Sequence, residues 1–182
     1  VKGKRIFMEK GLVLINTGDG KGKTTAALGT VVRALGQGLV VAFIQFIKNR
    51  ATGESRFLEE YEKNNPGRLK YQRLGLGFIK NQPGPADLAL AAEALALARE
   101  LTTGDRYNLV VLDEICAAMA TGLVTTTEVA QFIETRSPQV NLILTGYGCP
   151  EEIIAIADTV TEMKLIKHAY KKGLKARLGL EW

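Results

Sequence analysis

The nine residues Thr17-Gly18-Asp19-Gly20-Lys21-Gly22-Lys23-Thr24-Thr25 constrain the fold more than any other stretch of the chain. An apolar run, Leu12 to Ile15, leads into them, and a small-residue segment, Ala26 to Gly36, leads out. That order is strand, glycine-rich loop, helix, the arrangement that holds a phosphate chain. Glycines let the backbone come close, so that successive N–H groups converge on an anion. The start of the helix adds the positive end of its dipole. Lys23 brings a mobile positive charge, and Thr24 a hydroxyl able to reach a metal ion. The general pattern G-x-x-x-x-G-K-[ST] is met at Gly22, Lys23 and Thr24, but Thr17 stands where its first glycine belongs. A glycine-rich turn with no ligand is the plainer explanation, and the Lys-Thr pair between strand and helix argues against it. The loop implies a nucleoside triphosphate without saying what is done to it.

A chain of 182 residues, 46% hydrophobic and 24% charged, reads as one globular domain with a real core. No apolar run approaches a membrane span, so no membrane partner is expected. Val1 to Lys10 is basic without an apolar signal core, so a mobile arm and a cytoplasmic protein are expected, with the domain over residues 11–182. Cys116 and Cys149 lie far apart without metal-ligand spacing and read as reduced thiols. The net charge of +5 is scattered, with a mild cluster at Lys164, Lys167, Lys171, Lys172, Lys175 and Arg177. No aromatic stripe accompanies it, so a phosphate-rich ligand or an acidic partner explains the charge as well as nucleic acid does.

In chain order, strands are expected at Gly11 to Thr17, Leu39 to Phe46, Arg68 to Arg73 near an edge, Tyr107 to Asp113, Val140 to Thr145 and Thr159 to Lys167. Helices are expected at Lys23 to Leu35, Glu54 to Lys63, Ala86 to Leu101, Thr125 to Thr135 and Pro150 to Ala157. Leu74 to Pro85 is irregular, and Ala169 to Trp182 is expected to lie over the surface. Alternation of strand and helix gives an α/β fold: a mostly parallel central sheet of about six strands with helices on both faces. Ligands of such sheets bind beyond the carboxyl ends of the strands. The phosphate loop, Gln45 to Ser55, Asp113-Glu114 and Thr145 to Gly148 then share one rim.

Four apolar residues, Leu109 to Leu112, end in Asp113-Glu114. An acid at the end of a neighbouring strand can hold Mg2+ beside the phosphates, directly or through water. Helix capping or solvation is the alternative for either acid. A hydrolase would use Glu114 to activate water, and a kinase would need an acceptor site; the two motifs exclude neither. Lys48, closing Gln45-Phe46-Ile47-Lys48, can bind phosphate or carboxylate, although a lone lysine at a strand end is usually solvated. Phe78 offers a wall for a flat ligand or simple loop packing. His168, the only histidine, fits a structural hydrogen bond better than a ligand role.

Taken together these residues resemble the ATP:corrinoid adenosyltransferases of the P-loop type (cob(I)yrinic acid a,c-diamide adenosyltransferases). That family's loop reads T-G-x-G-K-G-K-T-T, so Thr17 is its usual residue and Asp19 fills the variable place. Gln45 to Lys48, Gly53-Glu54, Gly77-Phe78, Val110 to Glu114 and Thr145-Gly146-x-Gly148 follow in the family's order. So do Ala157-Asp158-Thr159-Val160-x-Glu162, Lys167-His168-Ala169, Gly173, Ala176 and Gly179.

The resemblance implies a RecA-like single-domain fold and transfer of the 5′-deoxyadenosyl group of ATP to the reduced Co(I) of a corrinoid, with triphosphate leaving whole. It implies that the loop holds the phosphate furthest from the ribose. ATP would meet Gly18, Asp19, Gly20, Lys21, Gly22, Lys23, Thr24 and Thr25, with Lys23 stabilising the leaving group and no side chain acting as acid or base. Mg2+ or Mn2+ would sit by Thr24, Asp113 and Glu114. Phe78, Lys48 and Glu54 would face the corrinoid. A homodimer, served by a reductase such as a flavoprotein, is implied too. Two positions depart from the family: Lys80 where some members have tryptophan, and Tyr147 where arginine is usual. The alternative reading is a RecA-like P-loop ATPase that acts on nucleic acid.

Overall fold

The computed structural model describes residues 10–79 and 82–181. The expected N-terminal arm (except Lys10) and the departure at Lys80 lie outside the described residues. Six strands form the sheet: β1 (Val13–Thr17), β2 (Val41–Phe46), β3 (Leu69–Leu74), β4 (Leu109–Asp113), β5 (Asn141–Thr145) and β6 (Thr159–Glu162). Their order across the sheet is β3-β2-β4-β5-β1-β6, and every pairing is parallel. The edge position expected for the third strand holds. The last strand stops at Glu162, short of Lys167.

Side-chain alternation sorts the sheet into two faces. Val41, Phe43, Val111 and Ile143 point to one side, where α1 (Lys23–Gly36) and α2 (Gly53–Asn64) cover them with Ala27, Val31, Leu35 and Leu58. Ala42, Ile44, Phe46, Val110, Leu112, Leu142 and Leu144 point to the other. There α3 (Pro85–Thr102), α4 (Ile115–Ala120) and α5 (Thr126–Thr135) pack, with Ile153 of α6 (Glu151–Ala155). Both faces of β2 and β4 are therefore buried, which is why VAFIQF and LVVLD are apolar at every position but Gln45 and the terminal Asp113. The apolar α3 buries one stripe, Ala91, Ala94, Leu95, Ala98 and Thr102, at helical spacing.

Two features differ from the sequence reading. The acid-bearing β4 is not beside β1, because β5 pairs with both and separates them. In addition, α4 follows Glu114 directly and is buried from Ile115 to Met119. Six residues with no polar face carry no helical periodicity, so the sequence offers no sign of it.

The end of β2 makes a sharp reversal that aims the next side chain. Ile47 has φ 62, and the Lys48 N–H donates to the Phe46 carbonyl at 2.5 Å, a γ-turn. The Ile47 carbonyl accepts from Gly77 N–H at 2.7 Å. Gly75 lies flat against this turn, and a Cβ there would overlap the Ile47 backbone. We expect Gly75→Ala to destabilise the fold by about 1–3 kcal/mol in urea unfolding. Gly53→Ala, where an added Cβ meets nothing within 4 Å, should stay within about 0.5 kcal/mol.

Candidate active site

The loop after β1 wraps the start of α1. Gly22 takes φ 110 and forms the helix N-cap without a side-chain cap, leaving the first N–H groups of α1 facing the loop. The Lys23 ammonium lies inside the loop, donating to the carbonyls of Gly18 at 2.6 Å and Gly20 at 2.8 Å. The backbone just after β6 presses on the loop from outside. Gly20 N–H donates to the Met163 carbonyl at 2.6 Å, and a Cβ on Gly20 would come within 2.5 Å of that oxygen. The glycines thus serve contact with the protein's own chain as well as approach to an anion. Asp19 and Thr25 are exposed. Lys21 is exposed too and pairs with Glu181, which fastens the tail to the loop.

Asp113 is the centre of the polar network. Its carboxylate is fully buried and accepts from four side chains. Thr24 Oγ1 at 2.8 Å and Thr145 Oγ1 at 2.6 Å donate to Oδ1, while Gln45 Nε2 at 2.8 Å and Lys48 Nζ at 2.9 Å donate to Oδ2. Behind this shell, Tyr71 OH donates to Gln45 Oε1 at 3.0 Å, and Glu114 N–H donates to Thr145 Oγ1 at 2.9 Å. Burial pushes the Tyr71 hydroxyl up to about 12, so it stays a donor at all physiological pH values. The strand that separates β1 from β4 thus supplies a donor to Asp113 through Thr145.

Sequence reasoning placed Gln45 and Thr145 in motifs without giving them this job. A signal was present, because a glutamine inside an otherwise apolar buried strand must find a hydrogen-bond partner.

Three carboxylates share one ammonium. Lys48 bonds Asp113, lies 3.5 Å from Glu114 Oε1, and feels Glu54. Burial pulls the Lys48 pKa down, but Asp113, Glu114 and Glu54 together hold it above the usual lysine value. Glu114 moves the other way from a simple ion pair. Burial and repulsion from Asp113 raise its pKa above the ordinary carboxylate range despite Lys48 and Lys23. Glu114 also has φ 66 and caps α4.

Thr24, Asp113 and Glu114 offer hard oxygen donors beside the loop, chemistry that fits Mg2+ or Mn2+. Among the described residues no group of three or more His, Cys, Asp or Glu side chains could hold a metal. Magnesium at a nucleotide site takes one or two carboxylates and draws further oxygens from the phosphates.

The structure brings Lys23, Thr24, Asp113, Glu114, Lys48 and Glu54 onto one rim. Lys48, expected to face the corrinoid, has its ammonium on Thr24 Oγ1 at 3.0 Å and on Asp113. Phe78 is apart from this cluster and 91% exposed, at the end of a segment held by Asn49 Nδ2 on the Leu76 carbonyl. Tyr147 is 45% exposed between Gly146 and Gly148. His168 accepts from Tyr170 N–H through Nδ1 and caps a 3-10 turn, Ala169–Lys172. Cys116 and Cys149 are free thiols, the first buried.

Known proteins are similar to this chain in fold and, separately, in sequence. FlaH, a flagellar accessory protein from Methanocaldococcus jannaschii, superposes with a TM-score of 0.54 at 14% identity, over 85% of this chain and 72% of its own. The KaiC-like protein PH0186 from Pyrococcus horikoshii gives 0.53 at 20% identity, over 88% and 76%. These likenesses show a shared α/β fold. Closer in sequence are corrinoid adenosyltransferases from Sinorhizobium (40% identical over 96% of this chain and 81% of theirs) and Pseudomonas aeruginosa (40%, over 96% and 85%). The enzyme of that name from Escherichia coli K12 is 36% identical over 96% of this chain and 87% of its own. The family profile ATP:corrinoid adenosyltransferase BtuR/CobO/CobP matches residues 9–182. The chain belongs to the ATP:corrinoid adenosyltransferase family.

Proposed function

We propose that this protein transfers the 5′-deoxyadenosyl group of ATP to the reduced cobalt of a corrinoid. The observation that carries this reading is family membership over nearly the whole chain, joined to a phosphate loop that encloses the Lys23 ammonium and whose Thr24 bonds Asp113. It is favoured over a nucleic-acid ATPase by the same match. In the step proposed, the Co(I) electron pair attacks the ribose C5′. A cobalt–carbon bond forms, the C5′–O bond breaks, and its electron pair leaves with triphosphate.

The chemistry asks little acid or base work of the protein. Negative charge grows on the bridging oxygen as the bond breaks, and donors already aimed at the phosphate chain stabilise it. Lys23 and the first N–H groups of α1 supply such donors. A divalent ion by Thr24, Asp113 and Glu114 would neutralise the same charge when bound. Asp113 orients the Thr24 hydroxyl by accepting its hydrogen bond.

The exposed Phe78 is assigned to the corrinoid side, where a flat macrocycle would cover it. Glu54 is assigned to the corrinoid side as well. A cytoplasmic homodimer and a flavoprotein reductase belong to this reading by family likeness. No described helix is long and apolar enough to cross a membrane.

Product analysis tests the reaction. Purified protein with ATP, Mg2+ and chemically reduced cobalamin should yield a light-sensitive cobalt–carbon species and intact triphosphate in equal amounts. ADP and phosphate without that species would overturn the assignment. Lys23→Ala should lower kcat by about a hundredfold or more with ATP saturating, because the lost donor acts mainly on the leaving group. Asp113→Asn should keep the buried volume yet weaken the Mg2+ dependence of transfer, read as a higher Mg2+ concentration at half-maximal rate.

A further inference from the structure

The four donors on Asp113 are not equivalent. A carboxylate accepts about four hydrogen bonds, so this one is filled. Gln45 is buried in β2 and tied to Tyr71, while Thr145 is buried in β5 and tied to Glu114 N–H. Thr24 sits on the first turn of α1 with a short side chain. Lys48 alone approaches on a long flexible stem, with 24% of its side chain exposed.

The Thr24 hydroxyl makes the distinction sharper. Its proton goes to Asp113 Oδ1 at 2.8 Å, and its oxygen accepts from Lys48 at 3.0 Å. A metal ion using Thr24 as ligand must sit beside the hydroxyl oxygen that Lys48 now engages. Two cations held so close to one oxygen repel each other.

We propose that Lys48 is a built-in counter-cation. It holds Thr24 and Asp113 in register and is exchanged for the divalent metal that enters with the nucleotide. Exchange swaps one cation for another beside a buried carboxylate, so Asp113 is never left without a positive neighbour. The γ-turn at Ile47 fixes where the stem begins, leaving the side chain as the moving part. This proposal rests on the reading of Thr24 as a metal-side group.

Free Mn2+ is the probe, followed by electron paramagnetic resonance without nucleotide or corrinoid. Lys48→Met should bind Mn2+ about tenfold more tightly than the unaltered protein, since a competing charge in contact with the ligands is gone. Lys23→Met is the control: it removes the same charge from a lysine that touches neither Thr24 nor Asp113 in its hydrogen bonds. Its gain should be clearly smaller. Unchanged or weaker binding by Lys48→Met, or an equal gain in both variants, overturns the proposal.

Should Lys48→Met fail to fold, the unaltered protein supplies a second readout. With lysines carbon-13 methylated and the Lys48 signal assigned by its loss in Lys48→Arg, that signal should shift when Mg2+ is added to the ATP-bound protein. A signal that does not move overturns the exchange. Neither measurement involves adenosyl transfer, so failure here leaves the proposed reaction standing.

Discussion

A fully buried carboxylate is the constraint on which the site depends. Removing Asp113 from water is costly unless its oxygens are bonded and its charge is opposed. Both conditions are met by side chains from separate elements: Thr24 from α1, Gln45 from β2, Thr145 from β5, and Lys48 just beyond β2. One charge thereby fixes the relative positions of three strand ends and a helix start. The cost of burial and the rigidity of the rim are two aspects of one arrangement. Such a rim suits a reaction whose catalysis lies in holding donors where charge will appear.

The backbone at this rim departs from ordinary geometry in two places. Ile47 and Glu114 are the only described non-glycine residues with positive φ. Each directly follows a central strand and begins the segment that delivers a charged side chain. Residues held in this region cost of order 1 kcal/mol or more and persist where surrounding contacts over-determine them. Here the contacts are visible: Gly75 and Gly77 against Ile47, and Thr145 against the Glu114 N–H.

Much of this was legible in the sequence because it is local. The phosphate loop is one contiguous motif, and the buried strands announce themselves as apolar runs between turn residues. Thr24 and Asp113 could be paired by type alone. What escaped was relational. That β5 lies between β1 and β4 depends on pairing between distant segments, and no local pattern encodes it. Lys48 looks like any lysine after a strand until the γ-turn directs it inward. The helix at Ile115–Ala120 is wholly buried and too short to show a polar face. Gly18 and Gly20 read as room for an anion, whereas the Met163 backbone occupies one side of that space.

The strand pairings also set an order of assembly. Strands β2, β3 and β4 find one another within the first two-thirds of the chain. By contrast β1, which carries the phosphate loop, pairs only with β5 and β6, and Gly20 closes on Met163. Non-local pairings of this kind form late, and synthesis runs from the N-terminus. The loop is thus made well before the strands that shape it. Nucleotide can stabilise this fold only once β5 and β6 are in place, so it acts on the assembled sheet.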